Sequence, residues 1–395
     1  MFKVKTLNHI SPSCMEIMTP DRYEISDTMA DPDAIFVRAT DMHNYEFNPA
    51  LRCIARAGIG VNSIPLKRCS EAGIVVFNTP GGNANAVKEL FLFGLGMASR
   101  DLMGGMRWVY NYNNPDVPVE VAMEKIKKQF AGPEYSRKSI GVIGTGNVGC
   151  PVANIALDMG MTVYGYDPYL SVNAAWRVSR HVIRVDDLDT LLRNCDYITL
   201  HTPLTDETRC MINAARIAKM KDGVRIINYA RGEVVDEDAI IDALHSGKVE
   251  RFVTDFPTAR LIQEPKAILT PHLGGTTVEA EANCARMAAE EMDDYLRTGN
   301  IKNSVNMPDL HMDRTGPTRI CIIHRNEPGA ISSITGILTA LLPIFAKDQI
   351  NIENMTNKSR GEYAYSVFDL NADVEESVVS ELKAIEGVLR VRVLH

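Results

Sequence analysis

The stretch Ser139–Asp167, SIGVIGTGNVGCPVANIALDMGMTVYGYD, decides the fold. Ile140, Val142 and Ile143 form the short apolar run that a buried strand needs. Gly144, Gly146 and Gly149 follow with GxGxxG spacing, with Asn147 and Val148 inside the loop, and Pro151–Met159 continues as a helix. Met161–Tyr166 reads as a second buried strand that ends at Asp167. The first glycine permits a tight turn, the second lets backbone approach a pyrophosphate, and the third lets helix pack close to strand. The helix N-terminus offers free N–H groups to the phosphates. Asp167 lies 23 residues after Gly144. There a carboxylate can accept both ribose hydroxyls of NAD and would repel the 2′-phosphate of NADP. A glycine turn without a ligand is the alternative. The order strand, glycines, helix, strand and terminal acid argues against it.

The chain has 395 residues, too many for one typical core, so two or three domains are expected. Its formal charge of −8 disfavours a general nucleic-acid or anionic-membrane surface. The eight cysteines show neither metal spacing nor a disulfide framework, which points to a reducing, cytoplasmic compartment and no metal site. No segment reads as a signal peptide or membrane span.

Ahead of the fingerprint, short apolar runs alternate with turns. Strands are expected at Phe2–Leu7, Ala34–Val37, Leu51–Ala57 and Ile74–Phe77, which makes a parallel α/β domain with its ligand loops beyond the strand ends. A long helix is expected from Asn85 to about Gly105, and an amphipathic one at Val121–Phe130. After Asp167 the alternation resumes. Strands at Tyr197–Leu200, Val224–Asn228, Arg251–Thr254 and Ala267–Thr270 end at His201-Thr202-Pro203, at Ala230-Arg231, at Asp255 and at His272 respectively. Thr276–Leu296 reads as a second long helix that returns to the first domain.

The last segment has another pattern. Residues 318–395 read as βαββαβ, a ferredoxin-like order, with the first helix at Gly329–Leu342. The expectation is therefore two Rossmann-like parallel-sheet domains plus a C-terminal ferredoxin-like α+β domain. Residues 1–96 with 272–303 would bind substrate, 97–271 would bind NAD, 304–317 would be a linker and 318–395 the terminal domain.

Arg231, His272 and Arg56 follow strands. Hydride transfer from a hydroxy acid uses such groups: a guanidinium clamps the carboxylate, and a histidine takes the hydroxyl proton as hydride leaves. Each taken singly also fits an ordinary exposed charge.

Together these motifs resemble the D-isomer-specific 2-hydroxyacid dehydrogenases. ARAGIGVN at Ala55–Asn62, NTPGGNANAVKE at Asn78–Glu89, GVIGTGNVG at Gly141–Gly149, HTPLTDETRCMIN at His201–Asn213, INYARGEVVDEDA at Ile227–Ala239 and ILTPHLGG at Ile268–Gly275 carry the resemblance. It implies an NAD domain inserted in a catalytic domain, with Arg231 orienting substrate and His272 as acid–base. It also implies a substrate side lined by Arg38, Arg56, Ala57, Gly58 and Asn83. Cofactor contacts would come from Gly144, Gly146, Asn147, Val148, Gly149, Asp167, His201, Thr202, Pro203, Ala230, Arg231, Asp255, His272, Gly274 and Gly275, with Asp255 near the nicotinamide amide.

The implied substrate is 3-phosphoglycerate, oxidised to 3-phosphohydroxypyruvate on the way to L-serine, because two anionic groups need more than one cation. The alternatives are a glyoxylate, hydroxypyruvate or other D-2-hydroxyacid reductase, and a non-enzymatic dinucleotide-sensing corepressor. The tail resembles an ACT regulatory domain, with HRNEPG at His324–Gly329 and INI at Ile350–Ile352; the resemblance places L-serine on His324, Asn326 and Asn351. A homodimer or homotetramer is expected.

Three departures stand out. The family's Glu after the position of Asp255 is replaced by Thr258, Ala259 and Arg260, which leaves Glu264 as the nearest carboxylate for His272. Without that partner the catalytic pH profile would lie lower than in relatives that carry the Glu. Asn62 and Lys88 stand where the family has Asp and Ala.

Overall fold

The computed structural model describes residues 1–326 and 350–395, with Thr339 and Ala346 between them. The helix expected at Gly329–Leu342 lies outside the described residues. The chain divides into two compact units, one of Met1–Gly82 with Glu281–His395 and one of Asn83–Ala280.

The first unit opens with β1 (Phe2–Leu7), β2 (Tyr23–Ser26), β3 (Ala34–Val37), β4 (Cys53–Arg56) and β5 (Val75–Phe77). They form a parallel sheet in the order β2-β1-β3-β4-β5. β3 and β5 are buried along their whole length, which is why they read as continuous apolar runs and not as alternation. β2 was not expected: YEIS is short, carries a charge, and lies at the sheet edge.

The second unit holds β6 (Ser139–Ile143), β7 (Thr162–Tyr166), β8 (Ile183–Arg184), β9 (Tyr197–Leu200), β10 (Val224–Asn228), β11 (Val249–Thr254) and β12 (Ala267–Leu269). The sheet is parallel in the order β12-β11-β10-β9-β6-β7-β8. The direction of winding reverses between β6 and β9, and such a switch point opens a crevice beyond the strand ends.

The apolar stretch from residue 85 to 105 is two helices, Ala84–Ser99 and Leu102–Tyr110. Hydropathy runs through the break, but the Asp101 side chain accepts from Gly104 N (3.1 Å) and caps a new start. The first helix buries Val87, Phe91, Leu95 and Ala98 against Ile140, Val142 and Val152 of the nucleotide sheet. Each large side chain so buried contributes about 1.5–3 kcal/mol.

The terminal part returns to the first unit as β13 (Thr318–Arg325), β14 (Ile352–Arg360), β15 (Tyr363–Leu370) and β16 (Val388–Leu394), antiparallel in the order β14-β15-β13-β16, with a helix at Glu376–Ala384. That is the ferredoxin-like strand order.

One sheet face shares a core with the first part of the chain. Cys321, Ile323, Tyr365 and Val367 pack in one cluster with Phe36, Phe77, Met292 and Tyr295. The stretch expected as a linker is built into that core. Met307, Leu310 and Met312 are buried, Ile301 bridges Leu310, and Asn306 Oδ1 accepts from Val76 N (2.8 Å).

The long helix Val278–Thr298 ends against this sheet. Arg392 donates to Tyr295 O (3.1 Å) and Leu296 O (2.8 Å), and Arg319 donates to Thr298 O (2.9 Å). Cations are favoured at the negative end of a helix. Arg319 also forms a two-pronged pair with Asp369, at 2.6 and 2.8 Å, with both side chains almost wholly buried.

Candidate active site

In the second unit the turn after β6 has little room for side chains. Gly144 has φ +85, and a Cβ there would sit 2.8 Å from His201 O; one on Gly149 would sit 1.7 Å from Gly144 O. A Cβ on Gly146 would meet nothing within 4 Å, so that position faces open space. The loop after β9 thus lies against the fingerprint at the switch point. Asp167, at the end of β7, accepts from Thr145 N (2.9 Å) and Tyr169 N (3.0 Å).

The residues fit a dinucleotide. His201 Nδ1 and Thr202 Oγ1 are buried beside the fingerprint turn with no partner among the described residues, and such atoms call for a ligand group or water. Burial pushes the His201 ring down to about 3, so it stays neutral, and its Nε2 lies 2.9 Å from Thr199 Oγ1. Arg177 donates to Asn147 Oδ1 (2.7 Å), which places a cation on the glycine loop. Sequence reasoning missed it, since Arg177 lies in no strand-end motif.

The loops after β10, β11 and β12 carry the acid–base candidates. Arg231 is half-buried. Its loop is tied by Asn228, which accepts from Ala230 N (3.0 Å) and donates to Arg231 O (2.9 Å). Arg231 itself donates to Ala230 O (2.7 Å).

His272 has φ +56, left-handed backbone that a residue with a Cβ rarely takes unless its surroundings enforce it. Here Asp255 does the enforcing. Buried to 2% exposure, its carboxylate accepts from Thr270 Oγ1 (2.6 Å), Leu273 N (2.8 Å) and Gly274 N (2.7 Å), while its backbone O accepts from His272 N (3.1 Å). Asp255, expected beside a nicotinamide, is the clamp of the His272 loop.

Phe256 links the two loops. Its ring meets the His272 ring edge-on at 5.1 Å, and its Cβ would lie 3.2 Å from a side chain at Gly232. Asn83 lies in this unit, and a Cβ on Gly275 would come 2.7 Å from its Nδ2; Asn83 Oδ1 is buried with no partner among the described residues.

Glu264 does not serve His272. The Glu264 carboxylate pairs with His245 Nε2 at 2.9 Å, because the short turn Leu261–Gln263 sets it beside the end of the helix Glu237–Ser246.

In the first unit, β3 and β4 run side by side and parallel with Val37 opposite Arg56, so Arg38 and Arg56 both lie at the C-terminal end of the sheet. The Arg56 guanidinium lies over Gly58, where a Cβ would come 2.5 Å from Nη1. Gly58 has φ +154, backbone that favours glycine, with Ala57 between the two. Arg38 forms an ion pair with Glu281.

In the terminal sheet, His324 is 1% exposed. Its Nδ1 lies 2.8 Å from Arg325 O and its Nε2 lies 3.0 Å from Ser366 Oγ. Asn326 and Asn351 are exposed. Asn326 donates to Gly361 O (3.1 Å), and Asn351 N donates to Asn371 Oδ1 (2.8 Å).

The NAD binding domain of the D-isomer specific 2-hydroxyacid dehydrogenases matches residues 105–274. D-3-phosphoglycerate dehydrogenase of Haemophilus influenzae is 32% identical over 363 residues, covering 89% of this chain and 83% of that protein. The chain belongs to the D-isomer-specific 2-hydroxyacid dehydrogenases.

D-3-phosphoglycerate dehydrogenase of Synechocystis is 36% identical over 300 residues, and the match spans 51% of that longer protein. The crystal structure of NAD+-bound 3-phosphoglycerate dehydrogenase of Entamoeba histolytica aligns with a TM-score of 0.60 and 26% identity, over 78% of this chain and 99% of that one. The dehydrogenase is thus an NAD-dependent oxidoreductase acting on the CH–OH group of a D-2-hydroxyacid, not a non-enzymatic sensor. Among the described residues, no helix is long and apolar enough to cross a membrane.

When bound, NAD supplies the hydride acceptor. Gly144–Gly149, Asp167, His201 and Thr202 would hold it.

Proposed function

We propose that the chain oxidises D-3-phosphoglycerate to 3-phosphohydroxypyruvate, with NAD as acceptor, at the entry to L-serine synthesis. The observation that carries this reading is the pair Arg38 and Arg56 at the C-terminal ends of two neighbouring strands of the first sheet. A hydroxy acid with a single carboxylate needs one cation, whereas phosphoglycerate has a second anionic group. The names of the curated relatives point the same way.

In this reading Arg231 clamps the carboxylate through its planar fork and polarises the forming carbonyl. His272 takes the hydroxyl proton as hydride leaves carbon, and returns it in the reverse direction. The Asp255 clamp holds the backbone of the His272 loop in place, a pre-organisation that spares the transition state an ordering cost.

The terminal domain reads as the L-serine sensor. Asn326 presents an exposed amide beside the buried His324, at one end of the terminal sheet, and Asn351 presents another at the opposite end, each able to donate and accept. A homo-oligomer is supported by Met106, Val109, Tyr110, Val121 and Met123, exposed apolar residues on the helices Leu102–Tyr110 and Val119–Ile126. A cytoplasmic location is supported by eight free thiols.

The direct test is NAD reduction with 3-phosphoglycerate beside D-lactate and D-glycerate, with and without L-serine. Saturable turnover that prefers 3-phosphoglycerate is expected; preference for either phosphate-free acid would sink the substrate assignment. His272→Ala should lower kcat by roughly 10²–10⁴-fold with NAD affinity little changed. Retention of full turnover would remove His272 from the proton transfer.

A further inference from the structure

The loop after β3 joins a cation, an acid and a preoccupied backbone. The N–H groups of Arg38, Ala39 and Thr40 converge on Asn8 Oδ1, at 3.3, 3.0 and 3.1 Å. Successive amides of this kind could cradle an anion, but Asn8 already fills them. What the loop has left for an anion is the Arg38 guanidinium, and Glu281, near the start of the helix Val278–Thr298, pairs with it.

The two side chains are 39% and 35% exposed, so a ligand from solvent can reach both. One helical turn on, Cys284 packs beneath Gly82, where a Cβ would come 2.7 Å from its Sγ. Burial raises that thiol, while a bond to Thr79 and the charges of Arg56 and Arg38 oppose the rise. The helix therefore carries Glu281 on the same side as both cations.

We propose that Glu281 is a specificity-determining residue: it competes with the distal anion of the substrate for Arg38, and so discriminates against a phosphorylated hydroxy acid relative to one with an uncharged end. The inference rests on the reading that Arg38 serves substrate. A phosphate must take Arg38 from Glu281 and then lie close to a free carboxylate. A distal hydroxyl meets neither cost. Arg38, Arg56 and Glu281 together offer a net charge of about +1, against about +2 without the acid.

Glu281→Gln keeps the shape and removes the charge. In the full chain with NAD, it should lower KM for 3-phosphoglycerate about fivefold, the worth of one partly exposed ion pair. Both kcat and KM for D-glycerate should stay unchanged. In an Arg38→Ala background the same substitution should do nothing, and Glu281→Asp should behave like the parent. An unchanged or raised KM for 3-phosphoglycerate, or an equal fall for both acids, overturns the inference.

If the parent turns over only D-glycerate and E281Q gains 3-phosphoglycerate, the substrate assignment falls and the role of Glu281 stands. If the parent prefers 3-phosphoglycerate and E281Q leaves its KM alone, the assignment stands and the role of Glu281 falls. Should neither acid be oxidised, calorimetric titration with inorganic phosphate decides. Tighter binding by E281Q, absent in the Arg38→Ala background, supports the inference, and equal binding refutes it.

Discussion

The two ends of the helix Val278–Thr298 use the same chemistry to opposite effect. At its C-terminal end Arg319 and Asp369 pair inside a dry core, and Arg319 and Arg392 saturate the last carbonyls. At its N-terminal end Glu281 and Arg38 pair with over a third of each side chain in water. An arginine and an acid make a fixture where solvent cannot replace either partner, and an exchangeable contact where it can.

Asp369→Ala should have the largest effect. It strands a buried guanidinium and should cost about 3–5 kcal/mol, read as a large fall in the denaturation midpoint with the 3-phosphoglycerate to glycerate preference unchanged. A loss below about 1 kcal/mol would mean that the buried pair is no fixture.

Next in size is Glu291, midway along the helix. Burial pushes its carboxyl up to about 8, against the opposing bond from Asn303 Nδ2 to Oε1 at 2.6 Å. The folded chain then binds this proton more tightly than the unfolded one. Its contribution to stability is full below the ordinary value of 4.5 and declines as pH rises toward 8. Glu291→Gln should flatten thermal stability between those limits. A parent and variant with parallel pH dependence would show that Glu291 is not the titrating group.

The smallest effect is expected of Glu281→Gln, within about 0.5 kcal/mol of the parent in stability. A large destabilisation there would erase the distinction between the two ends.

Much of this architecture is legible in the sequence. The fingerprint turn, the strand-end positions of Arg231 and His272, and the four strands and last helix of the tail all follow from local patterns that tertiary contacts did not override. Other features had no local signal. Arg319 and Arg392 sit on strands where charge is ordinarily exposed, and their burial depends on carbonyls far along the chain. The stretch 304–317 looked like a tether because its prolines, glycine and polar residues outnumber Met307, Leu310 and Met312, which nonetheless fill the core. Glu264 is the carboxylate nearest His272 along the sequence, and the fold pairs it with His245. The bonds that Asp255 accepts had no local signal either, since Thr270, Leu273 and Gly274 come from another strand end.

The shared core bears on how the tail can be handled. Because Ile323, Tyr365 and Val367 lie in one cluster with Phe77 and Tyr295, the terminal sheet is not an accessory that can be cut away or exchanged at residue 317. A chain shortened there would lay bare an apolar face and leave the last carbonyls of the long helix without their arginine donors. Engineers who want the enzyme without its terminal sheet must redesign a surface, not move a stop codon.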